Sequence, residues 1–116
     1  MKVAGLGFRA AADEGDLAAA LAFAEGAIPV DALATLATKA GALQTAFPHR
    51  RVIAVEVAGV LTPTQSRRIQ ALHGTGSVAE AAALVAAGPG ARLIATRRVI
   101  GRVTIAVAET DPGDSV

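Results

Sequence analysis

The chain has no cysteine, no tryptophan and no tyrosine. Without thiols there is no disulfide framework, no thiolate metal site and no cysteine nucleophile, and a reducing, cytoplasmic setting is the simplest expectation. Phenylalanine, present three times, is the only aromatic. The core is therefore left to Leu, Ile, Val and much Ala, which predicts helices that approach their neighbours closely. Platforms for stacking bases are scarce for the same reason, and with a net charge of +1 this argues against nucleic-acid binding. No apolar run approaches the roughly 20 residues of a membrane span, and the apolar N-terminal stretch, broken at Arg9 and Asp13, is too short for a secretory signal. A length of 116 residues gives room for one domain, one core and one site.

Charge is present but uneven. Between positions 50 and 102 eight arginines stand against only Glu56 and Glu80, whereas elsewhere Lys2, Arg9 and Lys39 face eight acids. Solvated Arg pairs on a surface account for such a pattern, and so does a polyanionic ligand held by the second half of the chain.

Val3 to Gly7 is short, apolar and bounded by glycines, as a buried strand is. Asp13, with Asp16 three residues on, opens a helix that turns Leu17, Leu21 and Ala24 to one face and stops at Gly26. Residues 32–38 read as a second strand or equally as the start of a helix, the strand being what the family resemblance described below favours, 41–47 as a short helix before Pro48, and the β-branched run 52–57 as a third strand. Thr62-Pro63-Thr64-Gln65 has the composition of a helix cap, with Ile69 and Leu72 as the apolar stripe of a helix ending near His73. Ser77, with Glu80 at the capping-box position, starts a further helix that turns Ala81, Leu84 and Val85 inward and ends at Gly88-Pro89. Strands over 92–96 and 103–108, turning near Gly101, complete an antiparallel pair. These elements predict a single α/β domain over 1–109, a three-layer sandwich on a mixed sheet of about five strands, with a disordered tail over 110–116.

Two glycine motifs invite a nucleotide reading. Gly5-Leu6-Gly7-Phe8-Arg9-Ala10 and Gly74-Thr75-Gly76-Ser77-Val78-Ala79 both satisfy G-x-G-x-x-A. The second follows a helix rather than a strand. The first leads to a helix opened by Asp13, Glu14 and Asp16, where pyrophosphate would meet like charge, and Thr38-Lys39 holds no acid for the ribose. Neither ends in the Gly-Lys-Ser/Thr of a P-loop, so no nucleotide cofactor is expected. His49 and His73, 24 residues apart without a carboxylate at ligand spacing, give no metal site. Ser66 and Ser77 lack the strained elbow of a catalytic serine. The GTGSVAE stretch remains as a helix cap, or as a helix mouth able to receive a carboxylate or phosphate.

Taken in order, Gly5 to Arg9, the Leu-Ala-Thr strand leading to Lys39, Gly74 to Leu84, Gly88 to Ile94 and Gly101 to Ala108 resemble the CobE family of cobalamin biosynthesis. The same domain forms the C-terminal part of CbiG. The resemblance spans nearly the whole chain and is most specific at GTGSVAEAAAL. It implies a place in the assembly of the corrin ring, as a stand-alone domain of the aerobic-type route. Binding or delivery of a corrinoid or precorrin intermediate is expected, with Arg9, Lys39, Gly74, Thr75, Gly76, Ser77 and Glu80 as the ligand-binding set and the Arg pairs as secondary contacts. A hydrolase opening a lactone, as CbiG implies, would draw on Glu80, Lys39 or His73 for acid–base work. A scaffold touching other cobalamin-pathway enzymes is the third reading.

Overall fold

The computed structural model describes residues 1–111. Its first strand, β1 (Lys2–Phe8), shows how the layers form. Val3 points into one buried cluster while Ala4 and Leu6 point into the other, as the two-residue period of a strand requires. After β1 come α1 (Glu14–Glu25), β2 (Ala32–Leu36), a 3-10 turn (Ala37–Lys39), α2 (Ala40–Ala46) and β3 (Val52–Val55). The second half holds α3 (Arg67–His73), α4 (Val78–Ala87), β4 (Arg92–Ile100) and β5 (Val103–Glu109).

The strands form one sheet in the order β3-β2-β1-β5-β4. β1, β2 and β3 run parallel, and β5 is antiparallel to both β1 and β4. α4 covers one face through its alanines. α1 and α2 cover the other through Leu17, Leu21 and Leu43. The expected three-layer α/β sandwich on a mixed five-stranded sheet is the architecture observed.

The two faces are built differently. Toward α1 and α2 the sheet presents Leu6, Leu33, Val103, Ile105 and Val107. Toward α4 it presents Val3, Ala32, Ala34, Ala108 and Gly5. Small residues on both sides let the α4 backbone descend onto the strands, and a β-carbon on Gly5 would lie 2.6 Å from the Ala83 amide nitrogen. That is the structural use of the alanine excess.

Several boundaries differ from the expected ones. β2 gives way at Ala37 to the 3-10 turn, and β3 ends at Val55. α3 begins at Arg67, capped by Ser66, because Thr62 and Thr64 are hydrogen-bonded elsewhere. No residue of α3 is buried, and Leu72 is 62% exposed, so the expected inward stripe is absent. In α4 Ala81 is buried as expected, whereas Val85 faces solvent. β4 continues to Ile100, leaving a two-residue turn at Gly101-Arg102. Of the expected tail, Thr110 donates its amide hydrogen to the Met1 carbonyl at 3.0 Å, and residues 112–116 lie outside the described part. Among the described residues no helix is long and apolar enough to cross a membrane.

Candidate functional site

The topology leaves a crevice beside β1. From its carboxyl end the chain turns toward α1 on one face, while after β3 it passes through α3 to α4 on the other. Loops that part in this way leave space at the strand ends, where open α/β sheets hold their ligands. A hollow of about 660 Å³ lies there.

Gly7, Thr35, Thr104 and Val78 are among the residues lining it at the sheet. The Thr35 hydroxyl donates to the Leu6 carbonyl at 2.8 Å and the Thr104 hydroxyl to the Gly7 carbonyl at 3.2 Å, so both are held against the carboxyl end of β1. Gly7 keeps the space open, since a β-carbon there would stand 2.6 Å from Thr104 Oγ1. Apolar wall comes from Phe8, Leu36, Ile69, Leu72 and Val99.

The charged lining is of one sign. Arg9, Lys39, Arg68, Arg97 and Arg102 border the hollow, His73 joins them, and no Asp or Glu does. Each cation arrives on a different segment. Arg9 follows β1, Lys39 closes the turn after β2, Arg68 rides on α3, Arg97 on β4, and Arg102 on the hairpin turn. The Lys39 ammonium lies 5.9 Å from the centroid of the Phe8 ring, a cation–π contact. Arg102 Nη1 donates to the Ala11 carbonyl at 3.1 Å and so ties the hairpin to the loop after β1.

Other arginines are occupied elsewhere. Arg50 pairs with Glu25 at 2.9 Å, and Arg92 pairs with Glu109. The Arg50 guanidinium, hydrogen-bonded to Glu25, holds that carboxyl below the usual carboxylate value. Arg98 lies 6.0 Å from the centroid of the Phe23 ring, on the α1 side. The cationic excess of the second half is thus divided between the hollow and unrelated surface contacts.

Of the residues singled out in the sequence, Arg9 and Lys39 stand on the hollow, and Gly74, Thr75, Gly76, Ser77 and Glu80 do not. Gly74 ends α3 in the left-handed conformation at φ 71°, and its carbonyl accepts the Gly59 amide. The Thr75 hydroxyl donates to the Val60 carbonyl at 2.6 Å. Gly76 sits so close to the Thr62–Gln65 segment that a β-carbon would come within 2.9 Å of Thr62 Oγ1. Ser77 Oγ accepts the Glu80 amide at 3.3 Å, which is half of the expected capping box.

The other half is missing because the Glu80 carboxylate turns away. It is fully buried and accepts the Thr64 amide at 2.8 Å, the Thr64 hydroxyl at 3.1 Å and the Arg97 amide at 2.9 Å. At this helix end the lining residue is Val78. The GTGS segment is accordingly packed against 58–66, with Thr75 and Ser77 buried.

Arg68 and Arg97 appear in the sequence only as members of Arg pairs and of the charge excess, while Phe8, Thr35, Arg102 and Thr104 fall within the stretches that carry the resemblance but receive no role of their own there. Among the described residues no three His, Asp or Glu side chains gather as metal ligands would.

The cobalamin synthesis G C-terminus family matches residues 2–108. Among solved structures, CobE, a protein from the cobalamin (vitamin B12) biosynthetic pathway, is 28% identical over 93% of this chain and 92% of its own, with a TM-score of 0.76. The cobalamin biosynthesis protein ChiG from Agrobacterium tumefaciens str. C58 is 36% identical over 96% of this chain and 99% of its own, with a TM-score of 0.73. No curated protein matches the chain.

Proposed function

The chain belongs to the cobalamin synthesis G C-terminus family and takes part in cobalamin biosynthesis, and from that premise we propose that it binds a corrinoid or precorrin intermediate in the hollow beside β1. The observation that carries this reading is the lining itself: five cationic side chains without an acid, set around apolar walls. A corrinoid intermediate is a wide apolar ring fringed by acetate and propionate carboxylates. It needs apolar contact for the ring and dispersed positive charge for the fringe, and guanidinium groups pair with carboxylates better than any other side chain.

Binding followed by delivery to the next cobalamin-pathway enzyme agrees with this lining better than catalysis does. Acid–base work requires a group placed to give or take a proton at the reacting atoms. Glu80, the carboxylate among the expected acid–base candidates, is occupied by three donors and does not border the hollow. His73 and Lys39 do border it, and they define what a hydrolase reading would have to use.

The test mixes purified protein with a corrinoid bearing free side-chain carboxylates, and separately with cobalamin, whose side chains are amidated. Each mixture is passed through a desalting column. Pigment of unchanged mass travelling with the protein, for the carboxylate form and not for the amide, is the expected result. Pigment of changed mass would replace binding by hydrolysis, and colourless protein would overturn both.

A further inference from the structure

We infer that Glu80 is the positioning residue of the hollow, a buried carboxylate that holds an extra residue in β4 and thereby turns Arg97 toward the ligand without touching the ligand itself. This rests on the reading of the hollow as a binding site.

The register of β4 against β5 is the starting point. Ala95 pairs with Val107, yet the next partners are Arg98 and Ile105, three residues along one strand against two along the other. Between these two pairs one residue of β4 is therefore extra, a β-bulge, and it follows a first irregularity of the same kind between Leu93 and Ala95. With regular pairing from Ala95, Arg97 would stand opposite Ile105 and face α1, because side chains alternate between the faces. The bulge gives that place to Arg98, which stacks on Phe23 of α1, and Arg97 borders the hollow instead. One inserted residue thus exchanges the faces that the two adjacent arginines take.

A bulge leaves an amide outside the strand ladder, and a buried amide needs an acceptor. Glu80 Oε2 supplies it, accepting the Arg97 N–H at 2.9 Å. Its other bonds, to the Thr64 amide and hydroxyl, fasten the segment that leads into α3, where Arg68, Ile69, Leu72 and His73 form the opposite wall. A single carboxylate at the start of α4 therefore spans both sides of the hollow.

The character of α4 makes the choice pointed. Glu80 is its only polar side chain, in a helix otherwise of Ala, Val and Leu, and it is buried without a cationic partner among the described residues. Packing alone is better served by an apolar residue, since a buried charge returns little net stability. What the carboxylate adds is a fixed arrangement of two backbone segments.

The test uses Glu80→Gln, which keeps the shape but puts an amide donor in place of one of the two acceptor oxygens, and Thr64→Val, which removes only the hydroxyl bond and retains the carboxylate. Amide hydrogen exchange of the free protein comes first. The amides of Arg97 and Thr64 should lose protection together in Glu80→Gln, by about tenfold or more, while Leu6 in the core keeps its own. Unchanged protection at Arg97 would overturn the inference. Should Glu80→Gln not fold, the same comparison in Thr64→Val decides, with a smaller loss at Arg97 expected and none overturning it.

Retention of the carboxylate corrinoid is then compared among Glu80→Gln, Arg97→Ala and the double variant. If Glu80 acts through Arg97, the double variant binds no worse than Arg97→Ala alone. Additive losses would show that Glu80 serves the ligand by another route and would overturn the positioning role. If the wild-type protein retains no corrinoid, the reading of the hollow falls, while exchange at Arg97 still decides whether Glu80 holds the bulge.

Discussion

Gly5 lies beneath the carbonyl of Ala79 with no space for a β-carbon between them. The nearest other atom, the Ala83 amide nitrogen, is also backbone, so a side chain at position 5 can be admitted only by lifting α4 from the sheet. Gly5→Ala should therefore destabilise the fold by about 1–3 kcal/mol, the usual cost of overpacking. Gly41 is the control. It lies within α2 with nothing near its missing β-carbon, and Gly41→Ala should stabilise by about 0.4–1 kcal/mol through the unfolded chain. Urea unfolding of the two variants beside the wild type measures both signs. Equal midpoints would remove close approach as the reason for glycine in β1.

The Glu25–Arg50 pair sets a pH dependence. Its bond to Arg50 lowers the Glu25 carboxyl below its ordinary value of 4.5. A carboxyl depressed in the folded state stabilises above the unfolded value, and the contribution is lost as pH falls through the lower, folded value. Both side chains are about 30% exposed, at 31% for Arg50 and 29% for Glu25, so solvent screening limits the gain to roughly 0.2–1 kcal/mol. Glu25→Gln should unfold more readily than wild type at neutral pH by that amount, and the difference should vanish once both forms are fully protonated. Chemical denaturation at neutral pH and at pH well below 4.5 gives the comparison.

Local signals were legible in the sequence, and signals that depend on distant partners were not. Asp13 and Asp16 accept each other's amides at 2.9 Å, so the start of α1 is written within four residues. Thr62 to Gln65 has similar letters but no helix, because the Thr64 amide is taken by Glu80 sixteen residues later, and the first free cap is Ser66. Arg9 and Lys39 were expected at a ligand site from the family resemblance, and they reach the hollow because one follows β1 directly and the other closes the short turn after β2. Arg97 could not be placed there from the sequence. Its orientation exists only relative to β5 and to Glu80, neither of which the β4 segment itself records. For the same reason the GTGS glycines read as an open mouth, although Gly76 is filled from outside by the Thr64 carbonyl and Thr62 hydroxyl.

Two adjacent arginines separate the hollow from bulk charge. Arg67 and Arg68 share α3 and both are exposed, but only Arg68 borders the hollow. Arg68→Ala, Arg9→Ala and Lys39→Ala should each weaken retention of the carboxylate corrinoid by about two- to fivefold at low salt, with a shallower salt dependence. Arg67→Ala should stay within about twofold of wild type, as expected of a rim charge that meets no ligand group. Titration at two ionic strengths is sufficient. Equal losses for Arg67 and Arg68 would reduce the effect to general attraction by the second half of the chain.

Leu72 tests whether the ligand's ring rests on α3. It is 62% exposed yet lines the hollow, so it contributes little to the core and has apolar surface to offer. Leu72→Ala keeps a strong helix former in place, and the unfolding free energy should stay within about 0.5 kcal/mol of wild type. Removing contact that a ring would bury forfeits up to roughly 1.5–3 kcal/mol, so corrinoid retention should fall by about tenfold or more while stability stands. Equilibrium unfolding and pigment titration on the same preparation read the two effects separately. If Leu72→Ala binds as wild type does while Arg68→Ala does not, the pigment is held by its carboxylate fringe alone and its ring lies away from α3.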